Sequence, residues 1–249
     1  PGPIRGRMAA VSPHPSVPLS APAPARALER AAAHVRAGGL LILPTDTVYG
    51  IGALASDAAG VSRLLAAKGR GRRMPPPVLV ADPAQAFDVV ARLPDAARAL
   101  IGAFWPGALT LVLDARADLD WDLGESGGTV ALRMPDHPLA LELLRRTGPM
   151  AVTSANRTGL APATDAAAAL AAFPGRVALA DDAAGPHGAD ILLLDGGPTP
   201  GPVPSTIVSL AGGSPGPVVV REGVVPRAEL AAVVGPSAAH GGAKEGAGA

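Results

Sequence analysis

Leu40-Leu41-Ile42-Leu43-Pro44-Thr45-Asp46-Thr47-Val48-Tyr49-Gly50 is the stretch on which the fold turns. Four consecutive apolar residues fit a short strand buried on both faces. Pro44 stops that strand, because proline has no N–H for a sheet ladder. Two hydroxyls and a carboxylate then emerge at the strand's carboxyl end, where α/β sheets place ligands. Taken alone, the run serves equally well as a polar turn whose Thr and Asp satisfy local backbone groups. Gly50-Ile51-Gly52 is too short to count as a dinucleotide fingerprint.

Upstream, Leu28, Ala32 and Val35 have helical spacing over residues 25–37, and Gly38-Gly39 closes that helix. Downstream, a helix is expected over 57–67, with Asp57 or Ser56 as its cap. A strand follows at 78–80, then two helical pieces within 84–103 broken around Pro94. Strands at 109–113 and 129–133, a helix at 139–146 and an apolar run at 150–152 come next. A helix at 165–172, strands at 191–194, 206–210 and 218–221, and a helix at 227–233 complete the pattern. The late strands arrive in series with few helices between them. That order implies an α/β single domain over residues 24–235 with a mixed parallel/antiparallel sheet and flanking helices. Residues 1–23, rich in Pro, Ser and Ala, read as a disordered lead, and 236–249 as a disordered Gly/Ala tail.

Composition narrows the chemistry. A hydrophobic content of 48% with only 2% aromatics implies an aliphatic core. The absence of cysteine removes disulfides, thiolate nucleophiles and Cys-based zinc sites. Zero net charge gives no electrostatic footprint for nucleic acid, so strong direct nucleic-acid binding is not expected. No apolar run approaches the roughly 20 residues needed to span a bilayer. No secretory signal is visible, and a cytoplasmic location is the expectation. The five histidines lack metal-ligand spacing; His34 and His137 read as surface or cap residues. No P-loop run is present.

Three rare residues mark the polar runs. The chain has 19 Arg against two Lys, Lys68 and Lys244, with one Tyr and one Asn, Tyr49 and Asn156. Lys68-Gly69-Arg70-Gly71-Arg72-Arg73 ends a helix, where cations complement the dipole. Four cations in a glycine-interrupted, flexible loop also suit a triphosphate, with Lys as a point charge and Arg as a fork. In Thr129-Val130-Ala131-Leu132-Arg133, strand alternation puts Thr129, Ala131 and Arg133 on the face opposite Val130 and Leu132. Arg133 is there either a solvated edge residue or the partner of a carboxylate in a cleft. Thr153-Ser154-Ala155-Asn156 and Pro204-Ser205-Thr206 are polar strand ends, as is Arg221. Without a strong general base, these groups point to catalysis by positioning and charge stabilisation, as in nucleotidyl transfer.

In order and spacing, these runs resemble the threonylcarbamoyl-AMP synthases, the Sua5/YciO/YrdC family, in its single-domain bacterial form. The resemblance spans about residues 25–235. It rests on the Pro-Thr-Asp-Thr-Val-Tyr-Gly run from Pro44 and on Lys68, Arg70, Ser154 and Asn156 as a Lys-x-Arg and Ser-x-Asn set. Trp105-Pro106-Gly107, the strand from Thr129 to Pro135 and Ser205-Thr206-Ile207-Val208 extend it. Gly71 replaces the family's usual Pro, and Val78-Leu79-Val80 lacks the polar residue many members carry there.

The resemblance implies a twisted mixed sheet. It also implies an enzyme joining L-threonine, bicarbonate and ATP into threonylcarbamoyl-adenylate, with Mg²⁺ arriving on ATP. The implied product feeds N6-threonylcarbamoylation of adenosine 37 in tRNA, through hand-over to a tRNA threonylcarbamoyl transferase. The implied catalytic set is Lys68, Arg70, Ser154 and Asn156. Thr129 and Arg221 join that set in the ATP site; Thr45, Arg133 and Ser205 are assigned to threonine. A same-fold paralogue making another acyl-adenylate, and a non-enzymatic RNA-binding module, are the alternatives.

Overall fold

The computed structural model describes residues 25–182, 189–213 and 216–235. The expected lead (1–23) and tail (236–249) lie outside the described residues. In chain order the elements are α1 (Ala25–Arg36), β1 (Leu40–Leu43), β2 (Gly50–Leu54), α2 (Ala58–Lys68), β3 (Val78–Leu79), α3 (Pro83–Phe87), α4 (Asp95–Phe104), β4 (Leu109–Asp114), β5 (Thr129–Arg133), α5 (Pro138–Thr147), β6 (Met150–Ser154), α6 (Ala166–Ala172), β7 (Val177–Leu179), β8 (Ile191–Leu193), β9 (Thr206–Ser209), β10 (Val218–Arg221) and α7 (Arg227–Val234). The strands form one sheet in the order β10-β9-β4-β5-β3-β6-β2-β1-β8-β7. Parallel pairs (β1/β8, β7/β8, β3/β5, β4/β9) mix with antiparallel ones (β1/β2, β2/β6, β3/β6, β4/β5, β9/β10).

Both faces of β1 are buried, as its unbroken apolar run requires. Leu40 and Ile42 enter a core shared with Leu64 of α2, Leu100 of α4 and Leu230 of α7. Leu41 and Leu43 enter a second core with Leu28 and Val35 of α1 and Leu143 and Leu144 of α5. This second layer also covers Leu79, Met150, Val152 and Leu192, the half of the sheet around β1. On β4, β5 and β9 the residues of that face are instead Thr110, Val112, Thr129, Ala131, Arg133 and Ile207, and they line a cleft.

Two strands, β2 and β7, were not expected. Gly50 and Gly52 are poor strand formers, yet a Cβ on Gly52 would stand 2.6 Å from the Ala151 carbonyl and 2.7 Å from Val152 Cγ2. The glycines are what allow β2 to lie against β6, and that close approach overrides propensity. β7 is three residues long, too short to show alternation. Helix α2 ends because Gly69 adopts the left-handed conformation (φ 62°), with Arg70 N donating to Leu65 O at 2.9 Å. That turn leaves Lys68 as the last helical residue and redirects the chain at Arg70.

Candidate functional site

The polar loop 44–49 joins β1 to β2 and is held by one hydroxyl. Thr45 Oγ1 donates to Val48 O at 2.6 Å and accepts from the Thr47 and Val48 amides at 3.2 and 3.3 Å. Its 3.0 Å contact with Thr47 Oγ1 must therefore be donated by Thr47, because a hydroxyl has one proton. Thr45 thus does what a turn residue does and also lines the cleft. Tyr49 ties the same loop to the segment after β8, its single proton directed to Gly197 O (2.7 Å) and shared with Asp195 Oδ1 (3.1 Å). Burial pushes its phenol up from the ordinary value, so it stays a donor.

Arg133 is no solvated edge residue: β5 lies between β4 and β3, and the side chain is buried. Its Nε donates to Gly107 O (3.0 Å), Nη1 to Thr47 Oγ1 (3.1 Å) and Nη2 to Asp46 Oδ1 (2.6 Å). A guanidinium has five N–H groups, so one remains on each terminal nitrogen.

Lys68 departs from the expected flexible, solvated loop position. It is 3% exposed. Its Nζ donates to Ser154 O and, at 3.2 Å, to Asn156 Oδ1, while its own carbonyl accepts from Thr158 Oγ1 at 2.9 Å. Asn156 in turn donates to Arg157 O (2.9 Å) and Leu160 O (2.7 Å). One lysine therefore fastens the whole turn after β6 to the end of α2. Burial, and then the charge of Arg70, push the Lys68 ammonium down to about 8. Arg70 donates to Thr153 Oγ1 at 3.0 Å, its Nε is buried without a hydrogen-bond partner, and burial lowers its pKa. Arg72 and Arg73 are outside the cleft lining. They pair with Asp122 (2.5 Å) and Glu125 (3.7 Å), which clasps the basic loop to the loop before β5. Of the four cations in this run, Arg70 alone lines the cleft, and Lys68 is buried behind Ser154.

Thr129 donates to Ser126 O at 2.7 Å. Ser205 Oγ meets Thr110 Oγ1 at 2.9 Å, and Arg221 Nη2 donates to Ser205 O at 2.7 Å. Burial, then the charges of Arg133 and Arg70, lower the Arg221 pKa. The result is an open cleft of about 410 Å³ lined by Arg70, Arg133 and Arg221 with Thr45, Thr129, Ser154 and Ser205. Lys68 and Asn156 are outside that lining and stand behind the Ser154 wall. Three guanidiniums facing one cleft, with one carboxylate among their partners, make a receptor for an extended anion.

The family model described as Telomere recombination (Sua5, YciO, YrdC) matches residues 33–223. The chain belongs to the Sua5/YciO/YrdC family. A Mycobacterium tuberculosis (strain H37Rv) relative, provisionally named threonylcarbamoyl-AMP synthase, is 48% identical over 214 residues, covering 86% of this chain and 92% of its own. The Bacillus subtilis (strain 168) threonylcarbamoyl-AMP synthase is 39% identical over 211 residues, and the chain spans 57% of its length. The structure of P. abyssi Sua5 complexed with L-threonine matches with a TM-score of 0.73 and 35% identity. That match covers 84% of this chain and 57% of the archaeal one.

Within this Sua5/YciO/YrdC chain, sequence reading left several site residues unassigned. Thr110 hides as a lone hydroxyl in the apolar strand Leu109–Asp114, and Thr153 lay one residue outside the Ser-x-Asn pair. The Gly107 carbonyl carries no side-chain signal at all. Leu79 also lines the cleft. Among the described residues no group of three or more His, Cys, Asp or Glu is placed to hold a metal ion. No described helix is long and apolar enough to cross a membrane.

Proposed function

We infer that the chain is a threonylcarbamoyl-AMP synthase, making L-threonylcarbamoyl-adenylate from L-threonine, bicarbonate and ATP. In the net reaction the threonine nitrogen bonds to the bicarbonate carbon and water leaves. A carbamate oxygen bonds to the α-phosphorus as pyrophosphate departs. The observation that carries this reading is the convergence of Arg70, Arg133 and Arg221 on one cleft, Arg70 with a buried N–H still unpaired. Family membership and the threonine-bound archaeal relative support it.

Arg70, Arg221 and Thr129 take the nucleotide and its phosphates. Lys68 adds positive charge from behind Ser154, and Ser154 and Asn156 shape the wall at the reacting centre. Such fixed charges stabilise the departing pyrophosphate without reorganising. Thr45, Arg133 and Ser205 take threonine, the two remaining terminal N–H groups of Arg133 suiting a carboxylate. Mg²⁺ carried by ATP would be held by the phosphates and not by a cluster of carboxylates among the described residues of this chain, and would add neutralising charge beside Arg70 and Arg221. The product passes to a tRNA threonylcarbamoyl transferase in the cytoplasm, for modification of adenosine 37. The test is pyrophosphate release from ATP. Release that needs both threonine and bicarbonate supports the reading; equal release with threonine omitted refutes it.

A further inference from the structure

Asp46 stands between two residues that line the cleft, Thr45 and Thr47, but is outside the lining itself. Its side chain is 14% exposed and that of its partner Arg133 is 8% exposed, with Oδ1 and Nη2 2.6 Å apart. Enclosing two charges this far costs several kcal/mol unless they are paired and hydrogen-bonded. The pair is therefore built for something that an exposed loop carboxylate would not supply. Arg133 is held at three points: Asp46 Oδ1, Thr47 Oγ1 and Gly107 O. The Thr47 contact is itself fixed in sense. Thr45 spends its proton on Val48 O, so Thr47 donates to Thr45 and turns its lone pairs to Arg133. Asp46 is the one charged member of this frame.

We propose that Asp46 is a positioning residue for the amino-acid subsite: from outside the cleft it holds the Arg133 fork in the orientation that receives the substrate carboxylate. The inference rests on Arg133 being that carboxylate's partner. Asp46 touches no substrate atom. It compensates the guanidinium while the cleft is empty and fixes its plane, so that the two remaining terminal N–H groups need no reorganisation when threonine arrives. Thr47 and Gly107 alone would leave the Nη2 end of the fork unheld. Pre-setting a binding group in this way raises affinity by removing the ordering cost from the binding step.

The test is calorimetric titration of the purified full chain with L-threonine, and separately with ATP, for wild type, Asp46→Ala, Asp46→Asn and Arg133→Ala. Thermal unfolding of each variant is measured alongside. Asp46→Ala should weaken threonine binding by about tenfold, the scale for ordering one long side chain at the moment of binding. ATP binding should stay within about twofold, because the nucleotide is assigned to other arginines. Asp46→Asn, which keeps an acceptor of the same shape, should recover most of the loss; if Asp46→Ala does not fold, Asp46→Ser, whose side chain is too short to hold Nη2, takes its place with the same tenfold loss expected. Unchanged or tighter threonine binding in a folded Asp46→Ala protein overturns the proposal, as does parallel weakening of threonine and ATP. If Arg133→Ala also binds threonine normally, the assignment of Arg133 is what has failed. If Arg133→Ala loses threonine and Asp46→Ala does not, the positioning role alone has failed.

Discussion

Replacing Lys68 by methionine keeps a side chain of similar length and removes its charge, which isolates what the buried ammonium costs the fold. Lys68 is 3% exposed, and burial, then the charge of Arg70, push its ammonium down to about 8 from an ordinary 10.5. Below pH 8 folded and unfolded chains both carry the proton, and the fold bears the full cost of enclosing it. Between pH 8 and 10.5 the unfolded chain keeps a proton that the folded chain has released, so stability rises with pH across that window. At about 1.4 kcal/mol per pH unit the whole effect is roughly 3.5 kcal/mol, and residual solvent screening near the loop lowers the expectation to ~2 kcal/mol. Urea unfolding of wild type and Lys68→Met at intervals from pH 7.5 to 10.5 measures it, because other titrating groups cancel in the difference. Wild type should gain ~2 kcal/mol on the variant over that range. A difference that stays flat with pH would refute the buried-ammonium account. Activity tests the other half of the argument. Lys68→Met and Lys68→Arg should each lose at least about tenfold in kcat/KM, since the first removes the charge behind Ser154 and the second cannot place it there. Wild-type turnover in a folded Lys68→Arg protein would sink the phosphate role.

Other perturbations follow from the same contacts. Gly52→Ala drives a methyl into the Ala151 carbonyl and Val152 and should cost at least ~2 kcal/mol in urea unfolding; a loss below half of that would mean β6 yields easily. Tyr49→Phe leaves Gly197 O without its donor, while Asp195 Oδ1 keeps the Gly197 amide, and should cost ~1–2 kcal/mol, visible as a lowered urea midpoint at unchanged slope. Arg72→Ala breaks only the exposed pair with Asp122 and should change kcat/KM by less than about threefold; a loss as large as that of Lys68→Arg would put Arg72 back among the phosphate ligands.

How much the sequence told depends on which physical rule governed each residue. Strand parity assigned Arg133 to the face opposite Val130 and Leu132 and left open what it met there. Its partners lie at positions 46, 47 and 107, joined to it only by the sheet order and the turn at Gly107. Continuous apolarity read β1 correctly at Leu40–Leu43. The same rule passed over β2, because Gly50 and Gly52 answer to the approach of Val152 and not to propensity. The rarity of Lys68 and Asn156 singled out two residues that do meet, at 3.2 Å, although 88 positions apart. The local pattern, a cation at a helix end, suggested a solvated loop. Burial reversed that, since Gly69 turns the chain and the Ser154 turn folds over the amine. Arg72 and Arg73 looked like the rest of the cradle because opposite charges on another loop leave no mark within their own run.

The departures from local rules gather in one place. A buried lysine, a buried guanidinium N–H without a partner, a threonine within an apolar strand and two strand glycines all lie in or beside the cleft. Each is a cost to the folded chain on its own terms. Lys68, Arg70 and Arg221 have their pKa values lowered, and for two of them the neighbouring arginines contribute beyond burial. Mutual repulsion of this kind destabilises the site while it is empty. An anion reaching several of these cations relieves much of it in one step. The extra attraction is then largest for the species with the most negative charge at the cleft, a triphosphate passing to an adenylate and pyrophosphate. The electrostatic tension that the fold carries at rest is in this way converted into discrimination among ligands. Asp46, 2.6 Å from Arg133, offsets part of that tension, although the charge of Arg133 still reaches Arg221.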